Sequence, residues 1–185
     1  MYKQYKLSQE LRVRRVSSRA PNFSAKSFHN GFIRVTKLEN YVGKYLVIIF
    51  YPSNFMEISS QELLEFESYL SKFQAINCEI LAISSDSVES HNAWFRAPVE
   101  NNGLNETVHF PLLEDKNMNI CKMYGVSNED NGSALMSIFV IDAEGLIRIT
   151  MSLDAGIHFS AKDILRMVTE VQIKDKAVEA NSGNE

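Results

Sequence analysis

Residues 45–66 read YLVIIFYPSNFMEISSQELLEF, and the way this stretch divides decides the fold. Tyr45 to Tyr51 is an unbroken apolar run, too short for a core helix. Its Val, Ile and aromatic content suits a strand buried on both faces. Pro52, which lacks the N–H that a ladder needs, ends it. After a turn containing Ser53 and Asn54, apolar residues recur at Leu63, Phe66, Leu70 and Phe73, in steps of three and four that mark one face of a helix. The segment is therefore strand, loop and helix. A helix N-terminus presents unpaired N–H groups and a partial positive charge that stabilise an anion or lower a thiol pKa, yet no cysteine stands at this one.

Outward from this unit, Cys78 to Ser84 is a second buried strand, with Ile80, Leu81, Ala82 and Ile83 at its centre. Upstream, Phe23 to Ser27 and Phe32 to Leu38 flank His29-Asn30-Gly31. An Asn-Gly pair between such segments predicts a hairpin, expected here as an accessory to the main sheet. Downstream, Ser87 to Phe95 reads as a helix with Ser87 as N-cap, and its Trp94 as a packing residue rather than a ligand-stacking one. Lys116 to Tyr124 reads as a short helix closed by Gly125. Ser137 to Ile141 and Leu146 to Met151 form an antiparallel pair around the turn Asp142 to Gly145. The last helix, Ser160 to Gln172, opens on a Ser-x-x-Asp capping box, Ser160 with Asp163, and buries Ile164, Leu165, Val168 and Val171.

The chain has 185 residues, 45% hydrophobic and 23% charged, the profile of one domain with a sizeable core. A net charge of −4 argues against nucleic acid as a partner, because counterion-release binding needs concentrated positive charge. No apolar stretch approaches the roughly 18 residues of a membrane span. Cys78 and Cys121 stand far apart with no C-x-x-C spacing, which fits a reducing compartment. His29, His91, His109 and His158 are scattered without metal-ligand spacing, so no metal site is expected. Residues 1–15 carry Lys3, Lys6, Arg12, Arg14 and Arg15 against Glu10 alone. They read as a solvated basic arm in a cytoplasmic protein, with a mitochondrial leader as the alternative. Residues 173–185 have the composition of a disordered polar tail.

The run F-Y-P at Phe50 to Pro52, N-C-E-I-L-A-I-S-S-D-S at Asn77 to Ser87, S-H-N-A-W at Ser90 to Trp94 and F-P-L-L-E-D at Phe110 to Asp115 resembles the typical two-cysteine peroxiredoxins of the AhpC/TSA family. Ala20-Pro21-Asn22-Phe23 is similar to that family's A-P-D-F, and the likeness is collinear across residues 16–172. The resemblance implies an α/β thioredoxin-like fold, a central mixed β-sheet flanked by helices with an N-terminal β-hairpin extension. It also implies thioredoxin-dependent peroxidase chemistry without a cofactor, and homodimers or decamers.

The same resemblance shows departures at the site. The family loop runs from proline through a Thr or Ser to a peroxidatic cysteine followed by proline. Here Pro52 is kept, but Met56 and Ser59 stand at the hydroxyl and cysteine positions and Ser60 at the second proline. Met136 stands where the family has an arginine, and residues 173–185 hold no resolving cysteine. A serine hydroxyl has no thiolate–sulfenate cycle, and a thioether neither carries charge nor donates a hydrogen bond. No G-x-S-x-G elbow marks Ser59 as a nucleophile. Only Asn102-Gly103-Leu104-Asn105 remains of a family Gly-Gly-Leu-Gly loop. The expectation is a pseudo-peroxiredoxin acting as a structural or regulatory subunit, homo-oligomeric or mixed with active relatives. The alternative is a peroxidase whose nucleophile has moved to Cys78 or Cys121. Ser59 and Glu62 form a Ser-x-x-Glu pattern, which predicts a capping box at the start of the main helix.

Overall fold

The computed structural model describes residues 16–128, 130–154 and 156–182. The basic arm 1–15 therefore lies outside the described residues. The apolar run forms β3 (Tyr45–Phe50), wholly buried beyond Tyr45, and leads through the Pro52 loop into α1 (Glu57–Ala75). The next segment is β4 (Cys78–Ser84), parallel to β3 in a register that sets Tyr45 beside Cys78 and Phe50 beside Ile83. With β5 (Leu112–Glu114), β8 (Ser137–Ile141) and β9 (Ile147–Ser152), these strands build the centre and one edge of a seven-stranded mixed sheet.

The hairpin β1 (Ser24–His29) and β2 (Phe32–Lys37) turns at Asn30 and Gly31 as expected, but it is part of the main sheet rather than an accessory. β1 pairs antiparallel with β5, so the strand order is β2-β1-β5-β4-β3-β8-β9. A short ribbon, β6 (Ser127–Asn128) with β7 (Ser133–Ala134), stands apart.

Alternation along the central strands divides the core into two layers. Val47, Ile49, Ile80, Ala82, Ile138 and Val140 face α1 and α4 (Ala161–Ser182), where they meet Leu63, Phe66, Phe73, Ile164 and Val168. Leu46, Ile48, Phe50, Leu81, Ile83 and Phe139 face the other way and meet Ile120, Cys121 and Tyr124 of α3 (Asn119–Tyr124), which Gly125 closes in the left-handed conformation. Each fully buried Leu, Ile or Phe side chain contributes about 1.5–3 kcal/mol through loss of water contact. The helix α2 (Val88–Arg96), capped by the Ser87 hydroxyl, sends Trp94 into the first layer, where it stacks on Tyr51 at 5.5 Å between ring centroids.

Two expectations about the helices are corrected. The helix α1 begins at Glu57, ahead of the Ser59 cap that the Ser-x-x-Glu pattern predicts, because the Met56 carbonyl already accepts the Ser60 N–H at 3.0 Å. The polar tail is ordered helix as far as Ser182. Its anchor is Asp175, which accepts from the Tyr45 phenol at 2.6 Å and pairs with Arg148 at 2.7 Å. Tertiary ion pairing supplies what the tail's own composition lacks.

Candidate functional site

The C-terminal end of β3, the start of β8 and the first turn of α1 share one end of the sheet, since Phe50 pairs with Ser137. Pro52, Met56, Ser59 and Met136 all belong to this end. Phe55, with a left-handed φ of 61°, sets the approach to the helix and holds its ring 6.5 Å from that of Trp94. Met56 is the N-cap residue, has extended backbone angles and makes no side-chain cap. The residue is 42% exposed, whereas Met136 is buried in the core layer beneath α1 and α4.

Ser59 lies in the first turn of the helix, not at its cap, and the expected capping box does not form. Its Oγ is completely buried and meets no hydrogen-bond partner among the described residues. Glu62, fully buried, accepts instead from the Phe159 N–H at 3.1 Å and lies 3.2 Å from His158 Nδ1. Burial pushes its carboxyl up to about 7, against the opposing pull of His158 and the Phe159 N–H. One turn later Glu65 accepts the Ala161 N–H at 2.8 Å. Two carboxylates of α1 thus clamp the start of α4.

The loop containing the Asn102–Asn105 segment closes over the same turn. The Ser60 hydroxyl donates to the Asn102 carbonyl, and Trp94 Nε1 donates to the same oxygen at 2.6 Å. A Cβ on Gly103 would fall 2.1 Å from the Ala97 carbonyl oxygen, so glycine alone fits this crossing.

A polar network behind Pro52 escaped the sequence reading. Asn54 receives the Tyr51 phenol at 3.0 Å, donates its backbone N–H to Asp86 at 2.8 Å, and donates through Nδ2 to Ser90 at 2.8 Å and to His91 Nδ1 at 3.1 Å. His91 Nε2 donates to the Leu113 carbonyl at 3.2 Å, and burial lowers its pKa, so the ring is neutral with Nδ1 as acceptor. Asn54 and Asp86 stand just beyond the ends of two parallel neighbouring strands, a placement that was the available signal for this network.

The two cysteines are not brought together. Cys78 starts β4 at the opposite end of the sheet from the α1 N-terminus, in the layer beneath α1 and α4. Cys121 sits in the other layer. Both are free and buried. Burial, aided by the charge of Glu79, pushes the Cys78 thiol well up; burial, aided by Asp115, does the same to Cys121. Neither is poised as a thiolate. Among the described residues, no group of three or more His, Cys, Asp or Glu is placed to hold a metal, and no helix is long and apolar enough to cross a membrane.

The arrangement has solved relatives. A reduced two-Cys peroxiredoxin from Plasmodium vivax superposes with a TM-score of 0.84 at 28% identity, covering 87% of this chain and 83% of that one. The domain is therefore thioredoxin-like, with its mixed sheet flanked by helices. The AhpC/TSA family model matches residues 16–150. Peroxiredoxin 2 of Drosophila melanogaster is 36% identical over 166 residues, 89% of this chain and 84% of that protein. Bovine Peroxiredoxin-4 is 37% identical over 162 residues, 88% of this chain, which spans only 59% of that longer protein. The chain belongs to the AhpC/TSA peroxiredoxin family.

Proposed function

We propose that this chain is a pseudo-peroxiredoxin, a member of the family that does not run the peroxidase cycle and acts as a structural or regulatory subunit in redox homeostasis. The start of α1 and the adjoining start of β8 carry the reading: Ser59 presents a buried hydroxyl, Met56 and Met136 present neutral thioethers, and no thiol lies there. Peroxide reduction through cysteine needs an accessible thiolate, and both thiols of the chain are buried with raised pKa values. Family membership supports assembly as a homodimer or decamer, or in mixed oligomers with active relatives. Sparse cysteine usage supports a cytoplasmic setting, with mitochondria as the alternative.

The test is hydrogen peroxide consumption by the purified chain with thioredoxin, thioredoxin reductase and NADPH. No turnover is expected. Turnover abolished by Cys78→Ser or Cys121→Ser would instead make the chain a peroxidase with a relocated nucleophile. For the subunit role, native mass spectrometry of the chain co-expressed with an active family member is expected to show mixed oligomers. Strictly separate oligomers would remove that role.

A further inference from the structure

We propose that Met56 is a reversible oxidation site, at which hydroperoxide converts the thioether to a sulfoxide whose oxygen caps the otherwise uncapped N-terminus of α1. The inference goes beyond the pseudoenzyme reading and does not depend on it, because it concerns a different sulfur and no turnover.

Three observations converge. First, Met56 is the most exposed methionine among the described residues, at 42%, while Met118 and Met136 are buried and the others lie between. Second, Met56 occupies the N-cap position with φ −79° and ψ 135°, the geometry in which an oxygen-bearing side chain accepts from the helix's free N–H groups, yet it makes no such bond. The first intrahelical donor is Ser60, and among the described residues no acceptor meets the N–H of Glu57, Ile58 or Ser59. Third, the Ser59 hydroxyl in the same turn is buried without a partner, leaving a further polar group short of an acceptor. A thioether sulfur is a weak acceptor, whereas a sulfoxide oxygen is a strong one. That oxygen would stand as many bonds from Cα as the Oε1 of a glutamine does, and so reaches the first-turn donors.

The step balances without a further reagent. A sulfur lone pair attacks the distal oxygen of the hydroperoxide, the S–O bond forms and the O–O bond breaks. The attacked oxygen's proton passes to the departing oxygen, which leaves as water or alcohol. Sulfur is oxidised by two electrons and the peroxide is reduced by two. Methionine sulfoxide reductases return the thioether at the expense of a dithiol, which is oxidised to a disulfide while the oxygen leaves as water.

The experiment exposes the full chain to hydrogen peroxide alone, quenches with catalase over time and locates the added oxygen by peptide mass mapping, followed by amide exchange on the oxidised protein. Met56 is expected to gain one oxygen before Met123, Met151 and Met167. Exchange at Ile58 or Ser59, the second and third residues of the helix, is expected to slow by roughly two- to thirty-fold, the factor a side-chain acceptor at this position gives. Sulfoxide reductase should restore both mass and exchange. Met56→Gln, which places an acceptor there permanently, should slow exchange without peroxide, and Met56→Leu should do neither. Oxygen appearing first at another methionine, or a Met56 sulfoxide with unchanged or faster exchange, overturns the proposal. Oxygen first at Cys78 or Cys121 overturns it too and also counts against the pseudoenzyme reading, whereas thioredoxin-driven turnover with intact Met56 behaviour would sink that reading alone.

Discussion

The helices α1 and α4 pack against each other and carry the same signal near their starts, Ser59-x-x-Glu62 and Ser160-x-x-Asp163. At α4 the signal is a cap: the Ser160 hydroxyl accepts the Asp163 N–H at 3.2 Å. At α1 it lies inside the helix, where Ser59 has no partner and Glu62 reaches across to Phe159 and His158. The difference lies in burial. Ser160 stands beside solvent, where a hydroxyl can serve only its own helix. Ser59 and Glu62 point into the protein, where a carboxylate serves whichever backbone is nearest, here the start of the neighbouring helix. One helix start receives three acceptors, Ser160, Glu62 and Glu65, while the other receives no side-chain cap.

This contrast can be broken most forcefully at Glu62. Glu62→Ala leaves the buried Phe159 N–H unpaired and opens a cavity, so unfolding free energy should drop by about 2–4 kcal/mol in denaturant titration. A drop no larger than that of an exposed alanine substitution would mean that the clamp carries little. A smaller effect follows from acidity. The folded pKa of Glu62, about 7, lies above the unfolded value near 4.5, so the folded state binds the extra proton between these limits. This group's stabilising contribution is complete below pH 4.5 and lost as pH rises through 7. The melting temperature should therefore rise by about a few degrees on acidification across that window, and Glu62→Gln should flatten the slope.

Ser160→Ala should cost about 1 kcal/mol by loss of the cap, read from chemical denaturation. Ser59→Ala should change stability least, within about 0.5 kcal/mol or slightly upward, because it removes a buried hydroxyl that satisfies no bond. A loss at Ser59 matching that at Ser160 would show that the two serines act alike and would undo the comparison.

Much of the fold was legible because its signals are local. The strands β3, β4, β8 and β9, the Asn30-Gly31 turn and the Gly125 helix end all follow from apolar runs and turn residues read within a few positions. What misled were features settled by distant partners. The hairpin's seat beside β5 depends on residues far along the chain, and the ordered tail depends on Asp175 meeting Tyr45 and Arg148. Met56 as N-cap carries no preference a sequence could display. Away from the site, the burial of Cys78 follows from its place in a strand read as buried, whereas nothing local marks that of Cys121. The Asn54, Asp86, Ser90 and His91 network was missed: the strand ends mark its place, but its members meet only once the two parallel strands align.

The sealing of both native thiols, on opposite sides of the sheet, makes the chain a convenient host for site-directed labelling. A cysteine introduced at an exposed position would be the one thiol that maleimide reagents meet in the folded protein, with neither native cysteine removed. A fluorophore or spin label placed in this way on β2 or along the outer face of α4 could report assembly with a relative directly.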